Sequence, residues 1–225
     1  MNDRPNILVI MSDEHDPAVT GGYGDTVVQT PALDRLAAEG ISFDSCYTTS
    51  PLCVPARLSF TAGKYVSKCG AWNNSCGLPS PDYPSLPRLL SAQGYQSILC
   101  GKMHYGENLR YGFTDLMPDT PDNHCSLSGT GGRRDPASTK GSTDSWLSRT
   151  SQFFVGDENE SSVMSRDVQR TDSACRFLKR RRHSDPPFFM MLGYISPHFP
   201  LIAPQAYHDA VKGKVPMPEL PEDWF

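Results

Sequence analysis

Apolar residues in this chain fall into short unbroken runs, and between them lie stretches where they recur every three or four positions. The first run, Asn6 to Met11, reads as a buried parallel strand: short, continuous and partly β-branched. It closes at Ser12-Asp13-Glu14, and a Gly-rich turn comes next at Gly21 to Gly24. Thr30-Pro31 opens a helix, with Thr30 as N-cap and Pro31 at the first helical position. Leu33, Leu36 and Ala37 give that helix an apolar face, and Gly40 stops it. Ile41 to Tyr47 alternates like a second strand or extended segment, and a short helix is expected from Ala56 to Ala62. Lys68 to Pro87 is rich in Gly, Pro, Asn and Ser and reads as loop. Ser85-Leu86-Pro87 then starts a helix carrying Leu89, Leu90 and Ala92, closed by Gly94. Gln96 to Cys100 is another strand. Met164, Val168, Thr171, Cys175 and Leu178 recur with a helical period, and Lys179 to Arg182 place positive charge in that helix's last turn. Pro187 to Ile195 is a strongly apolar strand, succeeded by Ser196-Pro197-His198-Phe199-Pro200. Residues 115–160 are polar and are expected to form an insertion or mobile surface segment.

Strands that alternate with helices predict an α/β fold with a mainly parallel sheet flanked by helices. Such sheets place ligands beyond the carboxyl ends of their strands. Asp13, Lys102 and His198 each lie just past a predicted strand end, so the topology brings them toward one site.

With 225 residues, 38% of them hydrophobic, the chain is long enough for one sizeable core. A net charge of -4 points away from nucleic acid or an acidic surface as partner. No apolar run is long enough to span a membrane, and no signal peptide is evident, so a cytoplasmic location is expected. Seven cysteines at 46, 53, 69, 76, 100, 125 and 175 form no CxxC pair and no zinc spacing. Most are expected to be small, buried, reduced side chains.

Cys53 is the exception. Cys53-Val54-Pro55-Ala56-Arg57, continuing through Thr61 and Gly63 to Lys64, resembles the signature of type I sulfatases, formylglycine-dependent hydrolases of the alkaline phosphatase-like superfamily. Three further stretches match that family in the same order: the Asn6–Asp13 strand, Gly101-Lys102-Met103-His104 and Ser196-Pro197-His198. The resemblance implies that Cys53 is oxidised to Cα-formylglycine by a formylglycine-generating enzyme. One hydroxyl of the hydrated aldehyde would then be the nucleophile toward a sulfate ester. It implies that Asp13, with Glu14 beside it and the modified Cys53, binds a divalent metal, Ca²⁺ ahead of Mg²⁺. Arg57 would hold the diol with a fork of donors that stays charged. Lys102 would bridge the diol and the sulfate, and His104 would contact the diol hydroxyl. His198 would contact the sulfate and protonate the departing alcohol. Asn73 and Asn74 sit in a loop that could border the pocket; His15, His124, His183 and His208 are read as surface or structural.

The resemblance covers nearly the whole chain but only the N-terminal part of a sulfatase catalytic domain; the C-terminal subdomain and its metal ligands find no match. The expectation is therefore a sulfuric ester hydrolase acting on a small-molecule or glycan sulfate ester. A phosphonate monoester or phosphodiester hydrolase of the same superfamily is the first alternative. A truncated, catalytically incompetent binding module is the second. A hydrolase using the Cys53 thiolate itself is disfavoured, because no oriented Cys-His pair is visible.

Overall fold

The structure, a computed structural model, describes residues 4–106, 109–116, 124–125, 154–155, 162–198 and 201–216. Its centre is a parallel sheet of β1 (Ile7–Met11), β2 (Gln96–Gly101), β4 (Asp115–Leu116) and β7 (Phe188–Gly193), in the order β1-β7-β2-β4. Two-residue strands make two further pairs: β3 (Tyr105–Gly106) with β5 (His124–Cys125), and β6 (Phe154–Val155) with β8 (Ile202–Ala203). The helices are α1 (Pro31–Glu39), α2 (Cys53–Ala62), α3 (Val66–Cys69), α4 (Leu86–Ala92), α5 (Ser162–Arg180) and α6 (Gln205–Val211). Among the described residues no helix is long and apolar enough to cross a membrane.

The unbroken apolar run Phe188–Leu192 sits where both faces of a strand are covered, and every residue of β7 is buried. On one face Leu99, Met191 and Phe189 pack with Val54 and Leu58 of α2, and Phe113 stacks on Phe189 at 5.7 Å. On the other, Ile98, Cys100, Met190 and Leu192 meet Ala174 and Phe177 of α5. β1 is parallel as expected but lies at the end of the strand order, with Leu8 and Ile10 exposed and no residue buried. The expectation of a fully buried first strand is therefore corrected: one face of β1 is open.

Four further expectations need correction. Ile41 to Tyr47 forms no strand, because no partner among the described residues pairs with it; Ile41 is 80% and Tyr47 88% exposed. α1 runs from Pro31 as expected, yet Leu33 and Leu36 on its apolar face are exposed. The period of α5 was legible but its phase was not. The buried positions are Asp167, Arg170, Ser173 and Ala174, while Val168 and Leu178 stay 40% and 37% exposed. Among the cysteines, Cys69 and Cys100 are buried and reduced, but Cys46 and Cys175 are exposed. The 115–160 segment lies outside the described residues except at β4, β5 and β6.

Candidate active site

The carboxyl ends of β1, β2 and β7 meet at one edge of the sheet, and each delivers a polar residue there. Asp13 comes two residues after β1, Lys102 directly after β2, and His198 lies on the turn after β7. The ends are laced by backbone hydrogen bonds. Tyr194 donates to Met11 O at 2.8 Å, Lys102 to Gly193 O at 2.9 Å, and Asp13 to Ser196 O at 3.3 Å.

Helix α2 supplies the fourth component. Sequence pattern placed its start at Ala56, after Pro55, but it begins at Cys53. Pro55 lacks only an N–H that the first turn would leave unpaired anyway, so it does not break the helix there. This start puts Cys53 at the first helical position, where backbone N–H groups and the helix dipole favour negative charge. Asn74, from the loop after α3, accepts the Val54 N–H at 3.1 Å and fixes the entry of the helix. Sequence reasoning only brought Asn74 near the pocket; no local pattern announces a cap supplied from twenty residues away.

Arg57, one turn on from Cys53, is 3% exposed. Its Nη1 donates to Lys102 O at 2.7 Å, and its Nη2 stands 3.8 Å from Asp13 Oδ1. Lys102 Nζ pairs with Asp13 Oδ2. The buried carboxylate is thus met by two cations. One ligand atom from each of Asp13, Cys53 and His198 lies within 4.8 Å of the others. Glu14, with φ of 62° in the left-handed region, stands outside that cluster and faces His198 Nε2 at 3.6 Å. His104 is also left-handed, at φ 59°, a conformation rare outside glycine and found where surroundings over-determine it. Its Nδ1 is buried with no partner among the described residues.

The electrostatics separate the groups. Burial, then the charges of Lys102 and Arg57, push the His104 imidazolium down to a pKa of about 4, so the ring is neutral at physiological pH. Burial, then Asp13, raises the Cys53 thiol above its ordinary value, against the smaller opposing pull of Lys102 and Arg57. The unmodified thiol is therefore held protonated, the opposite of a reactive thiolate. An open cleft of about 1080 Å³ adjoins Asp13, Glu14, Cys53 and Arg57, with Tyr47 and Tyr65 on its walls. Lys64 also lines this cleft, with Nζ 4.9 Å from the centre of the Tyr83 ring. Thr61 donates to Arg57 O at 2.7 Å and bonds Tyr105, and Gly63 closes the helix at φ 61°.

The family profile described as Sulfatase matches residues 5–219. An uncharacterized sulfatase of Escherichia coli, YidJ, is 28% identical over 91% of this chain and 40% of its own length. Arylsulfatase K of Mus musculus is 29% identical over 88% of this chain and 32% of its own. Among solved structures, one in complex with its substrate D-glucosamine-2-N,6-O-disulfate superposes with a TM-score of 0.61 and 27% identity, covering 88% of this chain and 35% of that one. A phosphonate monoester hydrolase of Agrobacterium radiobacter shares the fold, with a TM-score of 0.66 at 19% identity, over 92% of this chain and 44% of that one. The chain spans less than half the length of these relatives.

Proposed function

Since this chain belongs to the sulfatase family, we propose that it forms the nucleophile-bearing part of a sulfuric ester hydrolase, with Cys53 converted to formylglycine. The observation that carries the reading is the convergence of Asp13, Cys53 and His198 on one point beside Lys102 and Arg57. The residues present fit both expected groups. Asp13 offers a buried carboxylate and a hydroxyl at position 53 would add another oxygen beside it, while Glu14 stands outside this cluster, against His198. A hard divalent cation, Ca²⁺ or Mg²⁺, takes about six to eight oxygens in the first case and six in the second, so water, substrate oxygens or further residues would complete its shell. When bound there, the cation would polarise sulfate oxygens and ease ionisation of the attacking hydroxyl. The formylglycine hydrate would supply that hydroxyl, and a second one on the same carbon from which the sulfate can later be expelled.

The chain's own side chains do the rest. The Cys53 thiol, raised by burial, is a poor nucleophile as it stands, which argues against direct thiolate chemistry. Lys102 and Arg57 hold positive charge beside Asp13 and Cys53, where sulfuryl oxygens would gain negative charge. His104, kept neutral, offers the unpartnered Nδ1 as a hydrogen-bond partner to a hydroxyl at position 53. His198, within 4.8 Å of the Cys53 and Asp13 ligand atoms, is the group to which we assign protonation of the departing oxygen. Glycan and small-molecule sulfates are the substrate classes that fit: relatives bear the names N-acetylglucosamine-6-O-sulfatase, in Bacteroides thetaiotaomicron, and steryl-sulfatase, in Homo sapiens.

Peptide mass mapping of the protein from its native host tests this. A Cys53 peptide carrying an aldehyde in place of the thiol is expected, as is hydrolysis of sulfate esters in preference to phosphonate esters assayed in parallel. An unmodified thiol at Cys53 overturns the mechanism, and preference for the phosphonate ester moves the assignment to that activity. Cys53→Ser should release about one equivalent of alcohol and stop, because serine has no second hydroxyl.

A further inference from the structure

Helix α5 turns a charged stripe inward. Arg170 is 1% exposed and donates from Nη1 to Asp167 Oδ1 at 2.8 Å. Such a buried pair gives little stability that apolar residues of similar volume would not give, because both charges must leave water. The backbone that the pair touches supplies a better reason for its presence. Asp167 accepts the Ser196 N–H at 2.8 Å, and its two oxygens share the Ile195 N–H at 3.0 and 3.1 Å. Those two residues carry His198, whose own N–H donates to Ile195 O at 2.9 Å. On the other side, the Arg170 chain lies against Gly101, where an added Cβ would stand 2.8 Å from its Cδ. Gly101 immediately precedes Lys102. One turn of α5 therefore supports the two strand ends that deliver His198 and Lys102.

We propose that Asp167 and Arg170 are positioning residues of the active site. Asp167 holds the Ile195–His198 turn so that His198 faces the substituent at position 53, and Arg170 orients Asp167 while backing the strand end at Gly101. The proposal rests on the sulfatase reading, in which His198 protonates the leaving oxygen. The carboxylate suits this task because it accepts from two successive backbone N–H groups and a guanidinium at once, which no neutral side chain can do.

The test is Asp167→Asn, which keeps the shape but sets an amide N–H₂ against backbone donors. Wild-type and variant proteins, matured with the formylglycine-generating enzyme, are assayed on phenyl sulfate and 4-nitrophenyl sulfate. The first leaving group needs a proton from His198; the second leaves readily without one. A displaced His198 should lower kcat on phenyl sulfate about 10- to 100-fold while 4-nitrophenyl sulfate loses less than about threefold, with both KM values nearly unchanged. Equal losses on both esters, or none, overturn the proposal. Amide hydrogen exchange on the same variant reads the turn directly. Ile195 and Ser196 should exchange faster while Met190 to Leu192 keep their protection; unchanged exchange at 195 and 196 overturns the proposal. If the wild-type protein cleaves neither ester, the sulfatase reading is the one that fails, and exchange alone then decides whether Asp167 holds the turn.

Discussion

Gly101 and Gly193 face each other across β2 and β7, at the last registered pair before the site. A Cβ added at Gly193 would overlap Lys102 O and stand 2.9 Å from both Lys102 C and Lys102 N. All three are backbone atoms, so no side-chain rotation relieves the clash. The strands must part by about 1 Å at this end to restore ordinary contact. That movement breaks or stretches the 2.9 Å Lys102 N–H to Gly193 O bond, a loss of about 1 kcal/mol. Overpacking adds about 1–3 kcal/mol. The entropy that alanine removes from the unfolded chain offsets about 0.5 kcal/mol of the total. Gly193→Ala should therefore cost about 1.5–3.5 kcal/mol. Gly101→Ala should cost about 1 kcal/mol more, because its φ of 96° adds a left-handed penalty to the same overlap. Gly70→Ala is the control: φ is 73° there, but nothing lies within 4 Å of the added carbon. It should lose only about 1 kcal/mol. Urea unfolding midpoints at constant slope give all three values. Gly193→Ala within about 0.5 kcal/mol of wild type would refute the close approach of the two strand ends.

Two further substitutions probe the polar cluster. Arg57→Lys keeps the charge but loses the planar fork that reaches Lys102 O and Asp13 together, and should cost about 1–3 kcal/mol in urea unfolding; no loss would show that the fork does not hold these ends. His104→Asn retains a residue that tolerates the left-handed backbone and removes a ring whose pKa is pushed down to about 4 by burial, then by Lys102 and Arg57. Unfolded, that ring titrates near 6.5, so between those values the unfolded chain binds the extra proton. The ring's contribution is complete above about pH 6.5 and is lost as the pH falls toward 4. After discounting for partial exposure, wild type should lose about 1 kcal/mol more than His104→Asn between pH 7 and pH 5; equal losses would mean that the ring is not kept neutral.

The parts of this molecule that sequence made legible share a physical basis. β7 is buried on both faces and must be apolar throughout, so Pro187 to Ile195 declares a central strand without ambiguity. Asp13, Lys102 and His198 were findable because a parallel sheet exposes the residues just past its strand ends, and Cys53 and Arg57 because the stretch from Cys53 to Lys64 resembles the sulfatase signature. Failure came where burial depends on partners distant in the chain. Ile41 to Tyr47 alternates correctly but pairs with nothing among the described residues, and Leu8 and Ile10 are apolar on a face that stays open. The misplaced phase of α5 has a different cause. Periodicity assumes that the inward stripe of a helix is its most apolar one. Here the inward stripe carries Asp167, Arg170 and Ser173, and the apolar Val168 and Leu178 lie to its side. The residues that defeat the pattern are those bonded to the backbone before His198 and packed beneath Gly101. A helix that supports a polar site must turn polar groups inward, so hydrophobic patterning loses its hold on the elements nearest the chemistry. The usable signal was the i, i+3 spacing of Asp167 and Arg170, opposite charges on one helix face. Taken alone that spacing describes a solvated ion pair; it acquires meaning only once the chain end of β7 is known to need two N–H acceptors at the same place.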